Sequence, residues 1–424
     1  MRNIIDARLY QRTRSERGAI ALHVAIGMVV LIAFLTFVVD YGVMWVGRRM
    51  AQNAADGGAL AGAIAMAFDT NGWTDRTVTG PARLAARQVA LSNGIWGQAP
   101  NVDINTDVFF TADPAALCPP DGAGRTPCIR VDVYRNQARG NPLPSIFGQT
   151  VGILNQGVRA TAIARVAVAD ASDCMKPWAI PDKWNDIYDV TNPVEAPPNQ
   201  QWTEDDRFET TTGGGQPTPL PNPDIYTHPS SSGPGTGFTV AADLGRRVVL
   251  KQGGPQTAIQ PGVFQPVRIP RYDGNSTGGD DYRDNIATCN GLPIEIGDVL
   301  VSENGNMIGP TKQGVQDLIA LDPNARWDPV TKSVDNSCAQ ATTPCAPHSP
   351  RIVAVPIYDT AVYDSTRRQG LPTFTVVNIL GFFIDQMQGN DVVGYLCEAP
   401  GLVTGGQAPI DPQASFITQI QLIR

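Results

Sequence analysis

Charge is scarce in this chain: 17% of its 424 residues are Asp, Glu, Lys or Arg, and histidine occurs three times. Lys and Arg number 32 against 40 Asp and Glu, leaving −8 at pH 7. That balance excludes a general nucleic-acid binder, which needs a basic footprint. The cysteines form no CxxC pair, so a structural zinc site lacks its usual ligand spacing. There is no HExxH motif and no dinucleotide fingerprint, and no cofactor is expected. A mean hydropathy of −0.13 excludes a multi-span membrane protein. The 42 Gly and 35 Pro make up 18% of the chain, high for a helical bundle but below the roughly 25–30% of low-complexity disorder. The length allows two or three domains, each able to bury its own core.

One segment departs from that average. Ala19–Val39 holds no charge, and its only polar interruptions are His23 and Thr36. Its 21 residues span about 31 Å as a helix, the thickness of a bilayer's hydrocarbon core. Arg2, Arg8, Arg12, Arg14 and Arg17 precede it, opposed by Asp6 and Glu16, whereas only Arg48 and Arg49 follow within twenty residues. The positive-inside rule then predicts a cytoplasmic N-terminus with the remaining residues across the membrane. The run is longer than a signal peptide's apolar region and ends at Phe37-Val38-Val39-Asp40-Tyr41 without a small-x-small site, so an uncleaved anchor is expected. His23 reads as a neutral, locally hydrogen-bonded imidazole rather than a functional group.

Asp40–Phe68 continues without proline. Gly42, Gly47, Ala51, Ala54, Gly58, Gly62 and Ala65 recur at helical spacing, and Gly58-xxx-Gly62 is a pair that lets two backbones approach closely. Glycine costs a helix about 0.5–1 kcal/mol relative to alanine, so these positions predict a rod whose small-residue face packs against another helix, its own copy's or a partner's.

Arg17-Gly18, the apolar span, Asp40, and then Arg48-Arg49-Met50-Ala51-Gln52-Asn53-Ala54-Ala55-Asp56 running into Ala59-Leu60-Ala61-Gly62-Ala63 resemble the N-terminal domain of TadE/TadG-like proteins of Tad (Flp) pilus assembly. The resemblance covers roughly residues 17–68; Gly57 and Gly58 stand where the family usually has alanine. It implies an inner-membrane anchor with an exported C-terminal region, no catalysis, and partners among other Tad pilin-like or assembly components, with self-association through the N-terminal helix. Peptidase-processed prepilins carry Glu five residues after the cleavage glycine; here that residue is His23, which argues against processing. Many TadG-like proteins also carry a von Willebrand A domain with an Asp-x-Ser-x-Ser metal site. The nearest stretch, Asp170-Ala171-Ser172-Asp173-Cys174, lacks the second serine.

Beyond the rod, Gly80–Gly94 has helical spacing and a helix-stop Asn-Gly. Val102–Thr111, Ile129–Arg135 and Gly157–Val168 alternate as strands do. A second region contains the rigid segment Lys176–Asp182, a Pro/Gly-dense surface loop at 191–237, strands at Arg247–Lys251, Arg351–Tyr358, Thr373–Asp385, Val392–Cys397 and Ser415–Ile423, and a helix at Thr311–Ala320. The expected fold is therefore α+β. A basic tail (1–18) and a transmembrane helix (19–39) lead into a long Ala/Gly-rich helix packed on a small antiparallel sheet in pilin-like fashion (40–170). A β-rich exported domain (171–424) completes the chain.

Seven cysteines in an exported region are disulfide candidates. Cys118–Cys128 would staple a Pro/Gly loop and Cys338–Cys345 a second short loop. Cys174, Cys289 and Cys397 would compete for one bond, leaving one thiol free or buried.

Other motifs are weaker. Gly274-Asn275-Ser276-Thr277-Gly278 matches GxSxG, whose serine works only on a sharp strand-to-helix turn; no flanking strand or helix is expected here. Asp273, Asn275, Thr277, Asp281 and Asp284 fall at EF-like calcium positions, but the twelfth residue is Asp rather than Glu. Gly305–Lys312 lacks the P-loop's Gly-Lys-Ser/Thr order and reads as a tight turn into a helix. The sequence thus favours a structural pilus-assembly component. A cell-envelope hydrolase using Ser276 and a calcium-dependent adhesin are the alternatives.

Overall fold

The computed structural model describes residues 2–69, 72–120, 124–187, 203, 206–212, 218–230, 232–254, 257–271, 274, 278–303, 305–340, 348–370, 372–404 and 411–423, with backbone alone at 2–17, 36, 150 and 151. The chain divides into two compact units, 1–165 with 420–424, and 166–419.

In the first unit, helix α1 (Arg2–Phe68) is continuous, as the absence of proline allows. Helix α2 (Pro81–Ser92) starts with Pro81 directly after the Gly80 N-cap, where a missing N–H costs nothing. At its other end, Asn93 Nδ2 donates to Val89 O at 2.8 Å. The fully buried Ala82, Ala86 and Ala90 recur every fourth residue of α2 and form its inner stripe.

Strands β1 (Val108–Phe110) and β2 (Cys128–Arg135) pair antiparallel. Past them, β3 (Leu143–Pro144) and β4 (Asn155–Gln156) form a short antiparallel hairpin. Strand β5 (Val158–Val168) runs antiparallel along β2 from Arg135↔Val158 to Cys128↔Arg165. Beside β5, Arg165 Nε donates to Gln421 Oε1 at 2.7 Å, which ties in the C-terminal residues. Ile129, Val131 and Val133 of β2 pair with Ala164, Ala162 and Ala160 of β5, all buried. Side chains alternate across a strand, so these make one apolar face, with alanines where space is tight. The long helix lies against that face: a Cβ on Gly58 would meet Val131 Cγ1 at 3.4 Å, and one on Gly62 would meet Ile129 Cδ1 at 2.8 Å.

The first predicted strand is shorter than expected. Residues 103–107 form a turn instead, with Asp107 N donating to Asp103 O and Asp103 N donating to Asp107 Oδ2, each at 2.8 Å. Aspartate side chains stabilise such turns by bonding nearby backbone, and this overrides the alternation.

The second unit is built on a closed barrel. After the short strand β6 (Ala171–Ser172) comes β7 (Trp178–Pro181), then the one-turn helix α3 (Val240–Asp243), β8 (Arg247–Gln252) and β9 (Val263–Arg268). Helix α4 (Gly279–Ala287), β10 (Ile294–Glu295), β11 (Val299–Ser302), α5 (Ile308–Leu321) and the hairpin β12 (Arg326–Asp328) and β13 (Ser333–Asp335) follow. The chain then forms β14 (Ile352–Tyr358), α6 (Thr360–Arg368), β15 (Phe374–Gln388), β16 (Asp391–Cys397), β17 (Ala399–Pro400) and β18 (Ile417–Ile423).

The ring runs β7-β14-β15-β16-β8-β9 and back to β7. The β7–β14 and β8–β9 contacts are parallel and the others antiparallel. Strand β11 bridges β9 and β15. Closure removes the free edges that an open sheet would expose. Trp178, Phe264, Leu380 and Phe382 belong to one buried cluster, and Tyr358, Tyr363 and Phe374 to another.

Two features fix the start of this unit. Cys174 bonds Cys289, and the buried Lys176 Nζ donates to Asn285 O at 3.1 Å and Thr288 O at 2.7 Å. These bonds satisfy carbonyls at the C-terminal end of α4 that have no partner within the helix. The Pro/Gly-dense stretch at 191–237 is not wholly superficial. Phe208 is buried and meets Trp184 edge-on at 5.5 Å between centroids, while residues 188–202 and 213–217 lie outside the described residues.

Candidate membrane-anchor and assembly interface

Among the described residues, one helix, Gly18–Phe68, is long and apolar enough to cross a membrane, and its most apolar stretch is unburied. Ile20, Leu31 and Phe34 are each more than 60% exposed, the pattern of a surface meant for lipid or other helices rather than a soluble core. His23 Nδ1 bonds Ala19 O at 2.7 Å, the local pairing that its bland reading requires. Past the apolar run, Phe37 stacks on Tyr41 with centroids 5.7 Å apart, and the Arg49 guanidinium lies 4.4 Å over Trp45. Aromatic rings followed by cations are the usual furniture of a membrane–water boundary.

Asp40, the first residue after that run, is buried at 7% exposure. Its Oδ1 accepts from the backbone N–H of Ile146 at 2.8 Å and of Phe147 at 3.2 Å. Its Oδ2 accepts from Ser145 Oγ at 2.9 Å and from Gly148 N at 2.5 Å. A buried carboxylate without partners would be costly; here successive peptide N–H groups cup it, as in other anion-holding backbone nests. A Cβ on Gly148 would lie 2.8 Å from Asp40 Oδ2, so the close approach needs glycine. Higher on the helix, Gly47 faces Leu143: a Cβ at position 47 would lie 2.8 Å from Leu143 Cδ1.

A cleft of about 550 Å³ opens beside α1, lined by Arg48, Gln52, Arg130, Arg159, Ala160 and Thr161. Asp132 lies buried between Arg130 at 3.2 Å and Arg159 at 3.3 Å, and it also accepts from Thr161 Oγ1 at 2.5 Å. Gln52 Nε2 donates to Asp56 Oδ1 at 2.7 Å and to Thr161 O at 3.2 Å, tying the helix to β5. Arg48 adds a third guanidinium to the lining, and such groups favour an acidic side chain as the cleft's occupant.

The small-residue face falls largely inside the first unit. Gly47, Ala51, Ala54, Gly58, Gly62 and Ala65 are buried, whereas nothing lies within 4 Å of a Cβ on the half-buried Gly42. The helix that Gly58 and Gly62 meet is α2 of the same chain: a Cβ on Gly58 would lie 2.9 Å from Ala86 O and from Ala90 Cβ, and one on Gly62 2.9 Å from Ala86 Cβ. That contact explains why glycine stands at position 58.

Cys118 and Cys128 are bonded, as are Cys174 and Cys289. Cys397 is free and buried, so the three-way competition resolves in favour of 174–289. Cys338 is also disulfide-bonded, and its expected partner Cys345 lies outside the described residues. Cys174 ends the Asp170–Cys174 stretch and is engaged in its disulfide.

The GxSxG region needs a correction. A strand, β9, precedes it, and a helix, α4, begins at Gly279 immediately after it, where neither was expected. Asp280 and Asp281 in the first turn of α4 favour a helix start there. Ser276, Asp273, Asn275 and Thr277 lie outside the described residues, while Asp281 and Asp284 both sit on α4. Among the described residues, no group of three or more His, Cys, Asp or Glu side chains is placed to hold a metal. Gly305, at φ 109°, makes the turn before α5 that the P-loop-like stretch was expected to form.

Sequence reasoning missed Ser145–Gly148 as partners of Asp40, and Arg130 and Arg159 as cleft residues. A signal for the first was present: residues 140–158 contain no Asp, Glu, Lys, Arg or His.

Together these features define a class: a chain with one N-terminal helix able to cross a membrane, which runs on without a break into an α/β unit. Residues 18–66 match the family model for the Flp pilus-assembly TadE/G-like domain, Tad, in agreement with the resemblance drawn from the residues. No curated protein and no solved structure matches the chain.

Proposed function

We propose that the chain is a single-pass, inner-membrane-anchored, non-catalytic component of Tad/Flp pilus assembly. In this reading the N-terminus is cytoplasmic and residues 40–424 are periplasmic or otherwise extracytoplasmic. One observation carries the reading: the stretch matched by the family, 18–66, coincides with the unburied apolar run and the helix that continues from it. The five arginines before the run support the orientation. The disulfides support an oxidising compartment for the rest.

Lateral association with pilin-like components, or with a second copy, is assigned to the exposed aromatic side of α1, where Phe37, Tyr41 and Trp45 project at four-residue spacing. The small-residue side is occupied by α2. The arginine-lined cleft would receive an acidic group from such a partner.

The test has two arms. Alkaline phosphatase fused after residue 424 should be active, and the same enzyme fused before residue 1 inactive; the reverse pattern would overturn the orientation. Deleting the gene in its native host should abolish or sharply reduce surface Flp pili, with recovery on complementation by the intact chain and by Ser276→Ala. Unchanged piliation in the deletion strain would refute the assembly role, and failure of Ser276→Ala alone to complement would favour the hydrolase.

A further inference from the structure

We propose that the hairpin tip Ser145–Leu154 is a second membrane contact, seating Ile146, Phe147, Ile153 and Leu154 in the interfacial layer of the bilayer that α1 crosses. The inference rests on the reading of Ala19–Val39 as the membrane span and adds to it a surface outside the family-matched residues.

Two contacts fix the direction of the hairpin. Leu143 packs at Gly47, and Ser145–Gly148 hydrogen-bond Asp40. Between Gly47 and Asp40 the helix descends about 10 Å, at about 1.5 Å per residue. Leaving β3, the hairpin therefore travels down α1 toward its apolar end. Asp40 adjoins Val39, the last residue of the uncharged run, so the tip stands where hydrocarbon gives way to headgroups.

The composition of the tip fits that level. Ile146, Phe147, Ile153 and Leu154 are 52%, 36%, 54% and 65% exposed, a cluster of apolar side chains that would be out of place in water. The charge-free stretch 140–158 is bracketed by Arg139 and Arg159, leaving no ionised group to oppose insertion. Asp40 is a charge close to this level, and the peptide N–H groups of the tip enclose it. The clamp thus shields a carboxylate near lipid and holds the tip in place. Continuity with the apolar run, and not hydrophobicity alone, selects lipid as the occupant over a partner protein.

The experiment uses the full chain in nanodiscs. Because Cys397 is buried and the other described cysteines are bonded, an introduced thiol can be labelled selectively under native conditions. Leu154→Cys carries an environment-sensitive fluorophore, with Phe34→Cys as the reporter of the span and Val330→Cys, 88% exposed in the second unit, as the water reference. Lipid bearing a nitroxide high on its acyl chain should quench the probe at 154, and that at 34, while leaving the one at 330 bright. Quenching at 34 without quenching at 154 would overturn the hairpin contact and leave the anchor standing. No quenching at either position would overturn the anchor reading and this inference with it. A Leu154→Cys disulfide dimer in place of quenching would assign the tip to a second copy and also overturn it.

Discussion

Replacing Asp40 by alanine removes one acceptor group and leaves four donors behind. The donors are unequal. Ile146 and Phe147 are the less buried pair, so water of the interfacial layer can replace the carboxylate at their N–H groups with less loss. Ser145, 2% exposed, and Gly148, also buried, have no such access. A buried donor left without a partner costs about 1–3 kcal/mol, so the two together put the loss at about 2–6 kcal/mol in the local stability of the tip. Hydrogen exchange reads that directly, because an opening that is 2 kcal/mol easier exchanges about 30-fold faster. Peptides covering 143–156 should lose at least that much protection in Asp40→Ala, while peptides from β14 and β15 should not change. Asp40→Asn should fall between, since its remaining oxygen can serve two peptide donors while its new N–H₂ opposes the others. Gly148→Ala should reproduce the loss with the carboxylate intact, because the added methyl falls 2.8 Å from Asp40 Oδ2. Protection over 143–156 that stays within about threefold of wild type, a difference of less than 1 kcal/mol, would show that the clamp does not hold the tip.

Three further outcomes follow from the geometry. Gly42→Ala should stabilise the first unit by about 0.5–1 kcal/mol through helix propensity, because nothing stands within 4 Å of the new methyl. Gly62→Ala should destabilise it, because 2.8 Å to Ile129 Cδ1 and 2.9 Å to Ala86 Cβ bring an overpacking cost of about 1–3 kcal/mol; denaturant midpoints of the same sign for both would refute the intrachain packing. Removing Cys174–Cys289, 115 residues apart, should cost more than removing Cys118–Cys128, 10 apart, about 5 against about 3 kcal/mol on loop entropy, and the reverse order in chemical unfolding would reject that account. Burial raises Glu398 to about 7 and Asp182 to about 6, and lowers Lys176 to about 7. The two acids contribute most below their unfolded values and lose stability as pH rises through these folded ones, whereas the lysine contributes most above its unfolded value and loses stability as pH falls toward 7. The melting temperature of the second unit should therefore dip near pH 7, and a monotonic profile between pH 5 and 9 would contradict it.

The parts of the fold that are legible in the sequence share a cause. β14 is apolar throughout, β15 and β16 are mostly so, and β2 and β5 alternate, so burial is written into the local pattern. β7 and β9 escape detection for the opposite reason. Trp178–Pro181 is four residues long between prolines, and Val263–Arg268 carries Gln265 and Pro266 in its middle, so neither looks like a strand in isolation. Each is made one by distant partners: β7 by parallel contact with β14, and β9 by antiparallel contact with β7. Closure of the barrel rests on those two long-range contacts, and no local signal carries them. Helix α6 does leave a signal, though it lies outside the predicted elements. Asp359 is its N-cap, accepting from Val362 N at 2.8 Å, and an aspartate before a polar helix is a standard start.

The small-residue face shows a different limit. Gly58-xxx-Gly62 states that some backbone comes close, but the motif alone does not say whose, and it points equally to another chain's helix. Yet the complement lies twenty residues downstream: Ala82, Ala86 and Ala90 repeat every fourth residue on α2, a second small stripe matched to the first. Two such stripes on adjacent helices joined by a short connection satisfy each other before any other chain can compete, since the intrachain contact has the higher effective concentration. A helix from another molecule that packs on the exposed aromatic side of α1 then meets Tyr41 and Trp45, large side chains that set a wider spacing between axes than glycine does. The close approach announced by the glycines is therefore used in folding the first unit, which is why the proposed lateral association is placed on the aromatic side of the same helix.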